Sequence, residues 1–353
     1  MSVANRRILC SAVCVLGAVA SIGAIARART NNADLAPVKI AFLVDSFQVE
    51  RWQTDADSLQ KRGKELGAEV VSESADGDDE LQLQQAQKLI DSGVRAIVLV
   101  AHDTKKAARI VVAAKAKNVS VVCYDRLIPD SDIDYFAGPD YEYVGVLQAA
   151  ALVKLAPKGN YILVEGSPVD INARLIHEGH LKVLKPYIDR GDIHVVAEVW
   201  SKDWNPVEAY AGAAPAIDAA HGEIAAVLAA NDGTAGGAIQ ALEERKLAGK
   251  ILVSGLDADL AAIIRILNGT QSMTIYKPIG SLAAKAAEVA VSLARKEPVA
   301  TTDAISDGKK TVPAYFVRSV VVTRENVMET VIKPGFQNLE TIKKSVPADK
   351  WPR

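Results

Sequence analysis

The stretch VSVVCYDR, residues 119–126, carries the pattern that decides the fold. Its apolar run is typical of a strand that is buried on both faces of a parallel sheet. Asp125 and Arg126 follow the run directly and therefore fall at the carboxyl end of the predicted strand. Open α/β sheets bind their ligands just outside that end of their strands. The stretch therefore predicts a parallel α/β sheet with ligand-binding side chains along one edge.

The same succession of apolar run and polar cluster occurs six times along the chain. The clusters are ERW at residues 50–52, YDR at 124–126, SPVDIN at 167–172, ND at 231–232, and the single residues Asp257 and Lys277. Because the carboxyl ends of parallel strands meet at one edge of a sheet, we expect the clusters to surround one crevice. The sequence therefore predicts a binding protein.

The chemistry of these clusters favours a neutral polyol as the ligand. Sugar hydroxyls both donate and accept hydrogen bonds, and Asp, Asn, Arg and Lys together supply partners of both kinds. Trp52 and Trp204 are candidates for flat walls against the C–H faces of a sugar ring, and Trp204 lies in the polar loop SKDWNP, where a buried core indole is not expected. A phosphate or nucleotide site is not indicated, since neither a GxGxxG pattern nor a P-loop occurs.

Helix capping is an alternative role for several of these polar residues. Asp and Asn commonly cap the free N–H groups at the start of a helix, and four cluster residues precede predicted helices: Asp170, Asn172, Asp232 and Asp257. For Asp232 we predict a cap and for its neighbour Asn231 a ligand contact. Capping does not explain why Arg126 and Lys277 stand at equivalent strand ends, which favours the binding site.

Strands and helices alternate from residue 38 onward at the spacing of βαβ units. The first series of predicted strands is VKIAFLV, AEVVSES, AIVLVA, VSVVCYD and YFAG, and the second, from about residue 140, is YILVEG, IHVVAEVW, IAAVLAA, KILVSG and SMTIYK. Near-continuous apolar strands separated by Ala-rich helices indicate parallel sheets covered on both faces. The predicted fold class is α/β, with two doubly wound parallel-sheet lobes.

The order of motifs resembles a known family. ERWQTDAD, CYDRLIPDSDIDY, GNYILVEGSPVDINA, NDGTAGGAIQAL, SGLDADLA and TIYKPI are similar to segments of D-xylose-binding proteins of bacterial ABC importers, within the ribose/galactose type of periplasmic binding proteins. The similarity runs from about residue 38 to about residue 335. It implies that the lobes close around a monosaccharide, D-xylose first and glucose, galactose or arabinose as alternatives. Two departures are Ile171, where the family often has Asn, and Leu256, where it often has Gln.

The resemblance also implies a domain organisation. Three crossovers joining the lobes form a hinge, with residues 38–140 and 277–312 in the first lobe and residues 141–276 and 313–342 in the second. The helix after Lys277 is expected to return to the first lobe and the strand FVRSVVV to the second. Residues 343–353, which are polar with two prolines, are predicted to form a surface tail.

By the same resemblance, ten residues are predicted to contact the sugar: Arg51, Trp52, Asp125, Arg126, Asp170, Asn172, Trp204, Asn231, Asp257 and Lys277. The expected partners are a membrane ABC permease with its ATPase, and a chemoreceptor is a further candidate. No cofactor and no metal are expected, and the family expectation for the oligomeric state is a monomer.

The N-terminus predicts export. Arg6 and Arg7 precede an apolar core that ends in an A-x-A cleavage pattern at residues 26–28, which is typical of a signal peptide over residues 1–28. A loose segment, 29–37, follows, and the mature protein is predicted to be periplasmic. Cleavage removes three of the 41 basic residues and none of the 43 acidic ones, and the resulting net charge near −5 argues against a nucleic-acid partner. Cys123 is the one cysteine left and is predicted to be a buried thiol.

Other function classes find less support in the sequence. His177 and His180 in HEGH have the spacing of a metal pair, but HEGH is not HExxH, so a solvated helix face is predicted. His102 is interpreted as a loop residue outside the site. A sugar isomerase or aldolase that uses Lys277 as a Schiff-base lysine is not indicated, because the sequence shows neither a nucleophile motif nor a metal triad. A LacI-type repressor would begin with a basic helix-turn-helix rather than an export signal. We therefore predict that the protein is not an enzyme.

Overall fold

The computed structural model describes residues 37–48, 51–301 and 303–352. The predicted signal peptide, all but the last residue of segment 29–37 and Glu50 of the first cluster lie outside the described residues. Among the helices of the described residues, none is long and apolar enough to cross a membrane.

Strands and helices alternate as the apolar pattern predicts. The strands are β1 (Val38–Val44), β2 (Ala68–Ser74), β3 (Ala96–Leu99), β4 (Ser120–Tyr124), β5 (Tyr135–Gly138), β6 (Gly159–Glu165), β7 (Ile193–Trp200), β8 (Ala226–Ala229), β9 (Leu252–Val253), β10 (Thr274–Tyr276), β11 (Asp303–Ser306), β12 (Thr311–Phe316) and β13 (Val320–Val322). The helices are α1 (Arg51–Glu65), α2 (Asp79–Asp91), α3 (Ala108–Ala116), α4 (Tyr141–Leu155), α5 (Ile171–Asp189), α6 (Pro206–Ala219), α7 (Asp232–Glu244), α8 (Leu260–Asn268), α9 (Ile279–Ala294) and α10 (Leu339–Lys343).

The first lobe is built on a seven-stranded sheet in the order β11-β12-β5-β4-β3-β1-β2. Its strands are parallel except for the β11–β12 hairpin at one edge. Helices α1 and α9 pack on one face and α2 and α3 on the other, so that apolar residues cover both faces of the sheet. This explains why β3 and β4 are nearly continuous apolar runs.

The second lobe contains the parallel sheet β7-β6-β8-β9 and the antiparallel pair β10–β13. Backbone bonds link β9 and the residues after it to the segment of β10: the N–H of Ser272 donates to the carbonyl of Val253 at 2.9 Å, and the N–H of Asp257 donates to that of Ile275 at 2.8 Å. Helices α4 and α5 cover one face and α6 and α7 the other. Both lobes are thus doubly wound α/β layers, which confirms the predicted fold class.

The chain passes between the lobes three times: from β5 to α4, from β10 to α9, and from β12 to β13. Helix α9 packs on the first sheet against α1. The predicted segment FVRSVVV is divided by the third crossover, because Phe316 ends β12 and Val320 begins β13. The predicted boundary at residue 312 therefore falls inside a strand of the first lobe.

The predicted surface tail packs against the second lobe instead. Val346 is buried in a cluster with Val322 and Val327, and Trp351 packs against the same cluster. Arg324 donates a hydrogen bond to the carbonyl of Lys350 at 2.6 Å. The apolar side chains of Val346 and Trp351 favour burial despite the polar residues and prolines around them.

Two glycines let α4 and α5 approach closely and so bring their N-termini to the same place. A Cβ on Gly145 of α4 would lie 2.1 Å from the carbonyl oxygen of Ile176, and one on Gly179 of α5 would lie 2.1 Å from that of Glu142. Only glycine leaves room for this contact. Because α4 and α5 pack this closely, Tyr141 and Asn172, in their first turns, both reach the crevice between the lobes.

Candidate functional site

A cavity lies between the lobes at the carboxyl ends of the parallel strands. All ten residues predicted as ligand contacts line it, and Tyr141 and Leu256 complete the lining: Arg51, Trp52, Asp125, Arg126, Tyr141, Asp170, Asn172, Trp204, Asn231, Leu256, Asp257 and Lys277. The structure thus brings the predicted clusters together at one site, as expected for strand ends of two facing parallel sheets.

Arg51 opens α1 and is fixed by two buried carboxylates. Its Nη1 lies 2.6 Å from Asp125 Oδ2, and its Nε and Nη2 donate to Asp55 Oδ2 at 3.1 and 2.9 Å. Burial disfavours the positive charge of Arg51, but the nearby carboxylates of Asp125 and Asp55 stabilise that charge and raise the pKa of Arg51. Burial likewise opposes ionisation of Asp125, but Arg51 and Lys277 bring its pKa down to about 2. The pair is therefore ionised at neutral pH.

Asp55 was not predicted from the sequence. It is fully buried one helical turn after Arg51 and accepts a hydrogen bond from the hydroxyl of Tyr124 at 3.0 Å. Burial raises its pKa to about 6, although Arg51 acts in the opposite direction. The i, i+4 spacing of Arg51 and Asp55 was the signal that could have identified this pair.

Arg126 joins the two lobes across the cavity. Its Nη1 donates to Asp45 Oδ2 and to the carbonyl of Ala101, both at 2.7 Å, within the first lobe. Its Nε lies 2.7 Å from Asp170 Oδ2 of the second lobe. His102, which was placed outside the predicted site, contacts Asp45 Oδ1 through Nδ1 at 2.8 Å, and this hydrogen bond raises the pKa of His102. His102 therefore supports Arg126 through Asp45 and does not line the cavity.

Asp170 combines the two roles that the sequence left open. It is the N-cap of α5 and accepts from the N–H of Asn172 at 2.9 Å, and its other oxygen accepts from Trp204 Nε1 at 3.0 Å and pairs with Arg126. Burial raises its pKa, and Arg126 opposes that shift. Asn172 reaches back across the cavity, because its Nδ2 donates to Asp125 Oδ1 at 3.0 Å.

The prediction that Asp232 caps a helix is wrong. Asn231 is the N-cap of α7, accepting from the N–H of Thr234 at 2.8 Å, because the helix begins one residue earlier than predicted. Asp232 is buried beneath the site, where it accepts hydrogen bonds from Gln271 at 2.8 Å and Thr274 at 2.9 Å. Burial raises the pKa of Asp232 to about 7. Asn231 lines the cavity with its Oδ1 committed to the cap, so its amide N–H groups are the part directed to a ligand.

Lys277 and Asp257 form an ion pair at the second crossover. Lys277 is 1 % exposed, and its Nζ lies 2.8 Å from Asp257 Oδ1 and donates to the hydroxyl of Tyr141 at 3.2 Å. That hydroxyl donates in turn to Asp125 Oδ1 at 2.5 Å. Asp257 is not a helix cap, since the residue preceding α8 is Asp259. Its φ of 102° is a strained value for a residue with a side chain, of the kind that tends to be found at functional sites.

Two tryptophans form aromatic walls. Trp52 is buried on α1, with the guanidinium carbon of Arg51 4.1 Å from its ring centroid. Trp204 is half-buried and its ring packs directly on Gly166, where a Cβ would lie 2.3 Å from ring carbons. Glycine at position 166 therefore provides the space for this indole beside the cavity.

The HEGH segment is not a solvated helix face, so that prediction is wrong. His177 and His180 both turn toward the buried carboxylate of Glu165 at the end of β6, with Nδ1–Oε1 distances of 3.1 and 2.9 Å. His180 is fully buried and also contacts Gln148 Oε1 at 2.9 Å. The close contact of α5 with α4 at Gly179 turns this face inward. Within the described part of the chain, no group of His, Cys, Asp or Glu residues is arranged to hold a metal ion.

Tyr141 and Leu256 line the cavity and were missed by sequence reasoning. Tyr141 follows the N-cap Asp140 directly after the first crossover, a position that the strand-end pattern does not cover. Leu256 was noted as a departure from the family and was not among the predicted contacts. Ile171, the other departure, does not line this cavity.

Comparison with known proteins agrees with this geometry. Residues 40–298 match the family model described as periplasmic binding protein domain. The D-xylose-binding periplasmic protein of Escherichia coli is 46% identical over 85% of this chain and 91% of its own length, and that of Haemophilus influenzae is 42% identical over 89% and 94%. A carbohydrate transporter solute-binding protein from Chloroflexus aurantiacus, solved with D-glucose, superposes with a TM-score of 0.80 at 27% identity and covers 87% of this chain and 98% of that one.

Proposed function

Because this chain belongs to the periplasmic binding protein family, we propose that it is the substrate-binding component of an ABC-type sugar importer. The ligand is a monosaccharide, D-xylose first, held between the two lobes. Two relatives are named as D-xylose-binding proteins, and they are 42% and 46% identical to this chain over most of its length. This similarity supports the choice of sugar.

The charge balance of the cavity is the observation that carries the proposal. Three carboxylates and three cations line it. The carboxylates are Asp125, Asp170 and Asp257, and the cations are Arg51, Arg126 and Lys277. Each carboxylate has a cationic partner within 2.8 Å. An anionic ligand such as a sugar phosphate would bring charge into a site that is already neutral. A neutral polyol instead finds both acceptors and donors, with Trp52 and Trp204 as walls for its ring.

Binding without catalysis fits the same geometry. A Schiff-base lysine requires a free amine, whereas Lys277 is ion-paired to Asp257 at 2.8 Å. The relatives are periplasmic binding proteins by name, and we propose that this protein likewise acts in the periplasm. Its partners are a membrane ABC permease with its ATPase, and a chemoreceptor is a further candidate.

Calorimetric titration with D-xylose, D-glucose, D-ribose and L-arabinose tests the proposal. A site built around hydroxyl groups rejects sugars whose hydroxyls leave buried partners unpaired, but rejects one extra carbon less strongly. We expect affinity to fall in the order xylose, glucose, then ribose and arabinose. Glucose is the second candidate, since the Chloroflexus aurantiacus neighbour was solved with it. Tighter binding of ribose or of a hexose than of xylose would overturn the assignment.

A further inference from the structure

Leu256 gives the cavity an apolar patch among polar groups. It is 2 % exposed and packs with Met273 and Ile275 in the core of the second lobe. Among the cavity-lining residues of the described chain it is the one aliphatic side chain, since every other one has a charged, amide or aromatic group. The part of a ligand that faces Leu256 therefore meets hydrocarbon.

Some of the polar atoms near Leu256 are already used within the protein. Asp257 follows it in the chain and is paired with Lys277 at 2.8 Å. The backbone carbonyl of Leu256 accepts from the N–H of Asp232 at 2.9 Å, which places Leu256 beside the start of α7. There the Oδ1 of Asn231 is used for the helix cap. Leu256 itself therefore offers a ligand hydroxyl no side-chain partner, whereas every other lining residue of the described chain carries a charged, amide or aromatic group.

A buried hydroxyl without a partner lowers affinity about tenfold or more. A pentopyranose in the D-xylo configuration carries hydroxyls on four ring carbons and none on the fifth, which is a methylene. In the corresponding hexopyranose that fifth carbon carries a hydroxymethyl group. The apolar patch matches the methylene and does not match the hydroxymethyl.

We propose that Leu256 is a specificity-determining residue that lies against the ring methylene of a pentopyranose and disfavours the exocyclic hydroxyl of a hexopyranose. This inference rests on the proposed sugar-binding function. It assigns the discrimination to an unpaired hydroxyl rather than to the size of the added group.

The unmodified protein tests this with three sugars: D-xylose, D-glucose and 6-deoxy-D-glucose, in which a methyl group replaces the hydroxymethyl. We expect 6-deoxy-D-glucose to bind about tenfold more tightly than glucose, because its methyl group needs no hydrogen-bond partner. Equal affinities for glucose and 6-deoxy-D-glucose would show that size alone discriminates, which would overturn the inference while xylose binding upheld the function.

Variants at the same position give a second test. In Leu256→Gln an amide can pair with the exocyclic hydroxyl, so we expect the preference for 6-deoxy-D-glucose over glucose to shrink by about tenfold. Leu256→Met, which keeps an apolar side chain of similar volume, is the matched control and should keep the preference. Thermal unfolding reports whether each variant is folded. If the Gln variant does not fold, the three-sugar comparison on the unmodified protein tests the inference by itself.

The outcomes separate the two claims. A preference that is the same in the unmodified protein, the Gln variant and the Met variant, with xylose still bound, would contradict the role of Leu256 alone. Failure of the unmodified protein to bind any of the three sugars would contradict the proposed function, and the inference with it.

Discussion

Two of the three cations at the cavity are each held by a carboxylate that lies outside its lining. Asp55 fixes Arg51, and Asp45 fixes Arg126. The sequence could predict the clusters because they recur at strand ends, a position defined by the chain itself, and the family resemblance selected the ten contact residues. It could not predict Asp45 as a support, because that contact joins residues 81 positions apart and depends on how the strands are ordered in the sheet.

Asn231 has two roles that substitution can separate. Asn231→Ala removes both the helix cap and the amide donor, so we expect about 1 kcal/mol less stability together with weaker sugar binding. Asn231→Asp keeps an oxygen for the cap and removes the donor, so stability should hold while affinity falls. Thermal unfolding and titration with D-xylose measure the two effects. Full affinity in Asn231→Asp would mean that this residue is a cap only.

Gly166 tests the position of the indole wall. A Cβ there would lie 2.3 Å from the ring of Trp204, so Gly166→Ala must displace the ring, and we expect weaker binding of D-xylose in a folded protein. Gly280→Ala on α9 is the control, because the nearest atom to a Cβ at that exposed site is 3.7 Å away. Calorimetric titration with D-xylose measures the affinity of both variants and of the unmodified protein. Unchanged affinity in Gly166→Ala would show that Trp204 does not contact the ligand.

At the scale of elements, the apolar pattern predicted the strands well and their ends less well. Strands β1, β2, β5 and β7 have the predicted bounds, since an apolar or alternating run defines them. The β11–β12 hairpin was missed because β11 is mostly exposed and β12 contains Pro313, although burial alternates along the first four residues of β12. The inward face of α5 was missed because it depends on the close contact of two helices at glycine, which no single-helix pattern reports.

The contact of α5 with the end of β6 should depend on pH. The hydrogen bond that the His177 ring donates to the Glu165 carboxylate raises the pKa of His177, so this pair stabilises the fold fully below the unfolded pKa of His, about 6.5, and less as pH rises through the folded value. Burial alone would raise the pKa of Glu165, but His180 and His177 hold it below its usual value, so its contribution is lost only in acid.

The variant His177→Gln isolates this effect. We expect it to be less stable than the unmodified protein at pH 6 and the difference to shrink by pH 8.5, since His177 of the unmodified protein loses its proton as pH rises and the charged pair is lost with it. His194→Gln, at an exposed position on β7, serves as the control. Chemical denaturation across that pH range gives the two differences. A stability gap for His177→Gln that is constant or grows with pH would contradict the account.

At the scale of the molecule, the predicted clusters came together because two similar sheets face each other with the same strand ends inward. The lobes touch across the cavity through Arg126 with Asp170 and through Asn172 with Asp125. The chain joins them at three short crossovers. Such a body can open by hinge motion, and a ligand that bonds to both walls shifts the equilibrium toward the closed form.

Small-angle X-ray scattering with and without D-xylose tests the central claim, that the lobes close around a sugar. The account predicts that the radius of gyration falls when saturating D-xylose is added. Ribose at the same concentration is the matched control and should give a smaller change, because it binds less tightly. An unchanged radius of gyration under conditions in which calorimetry demonstrates D-xylose binding would contradict the account.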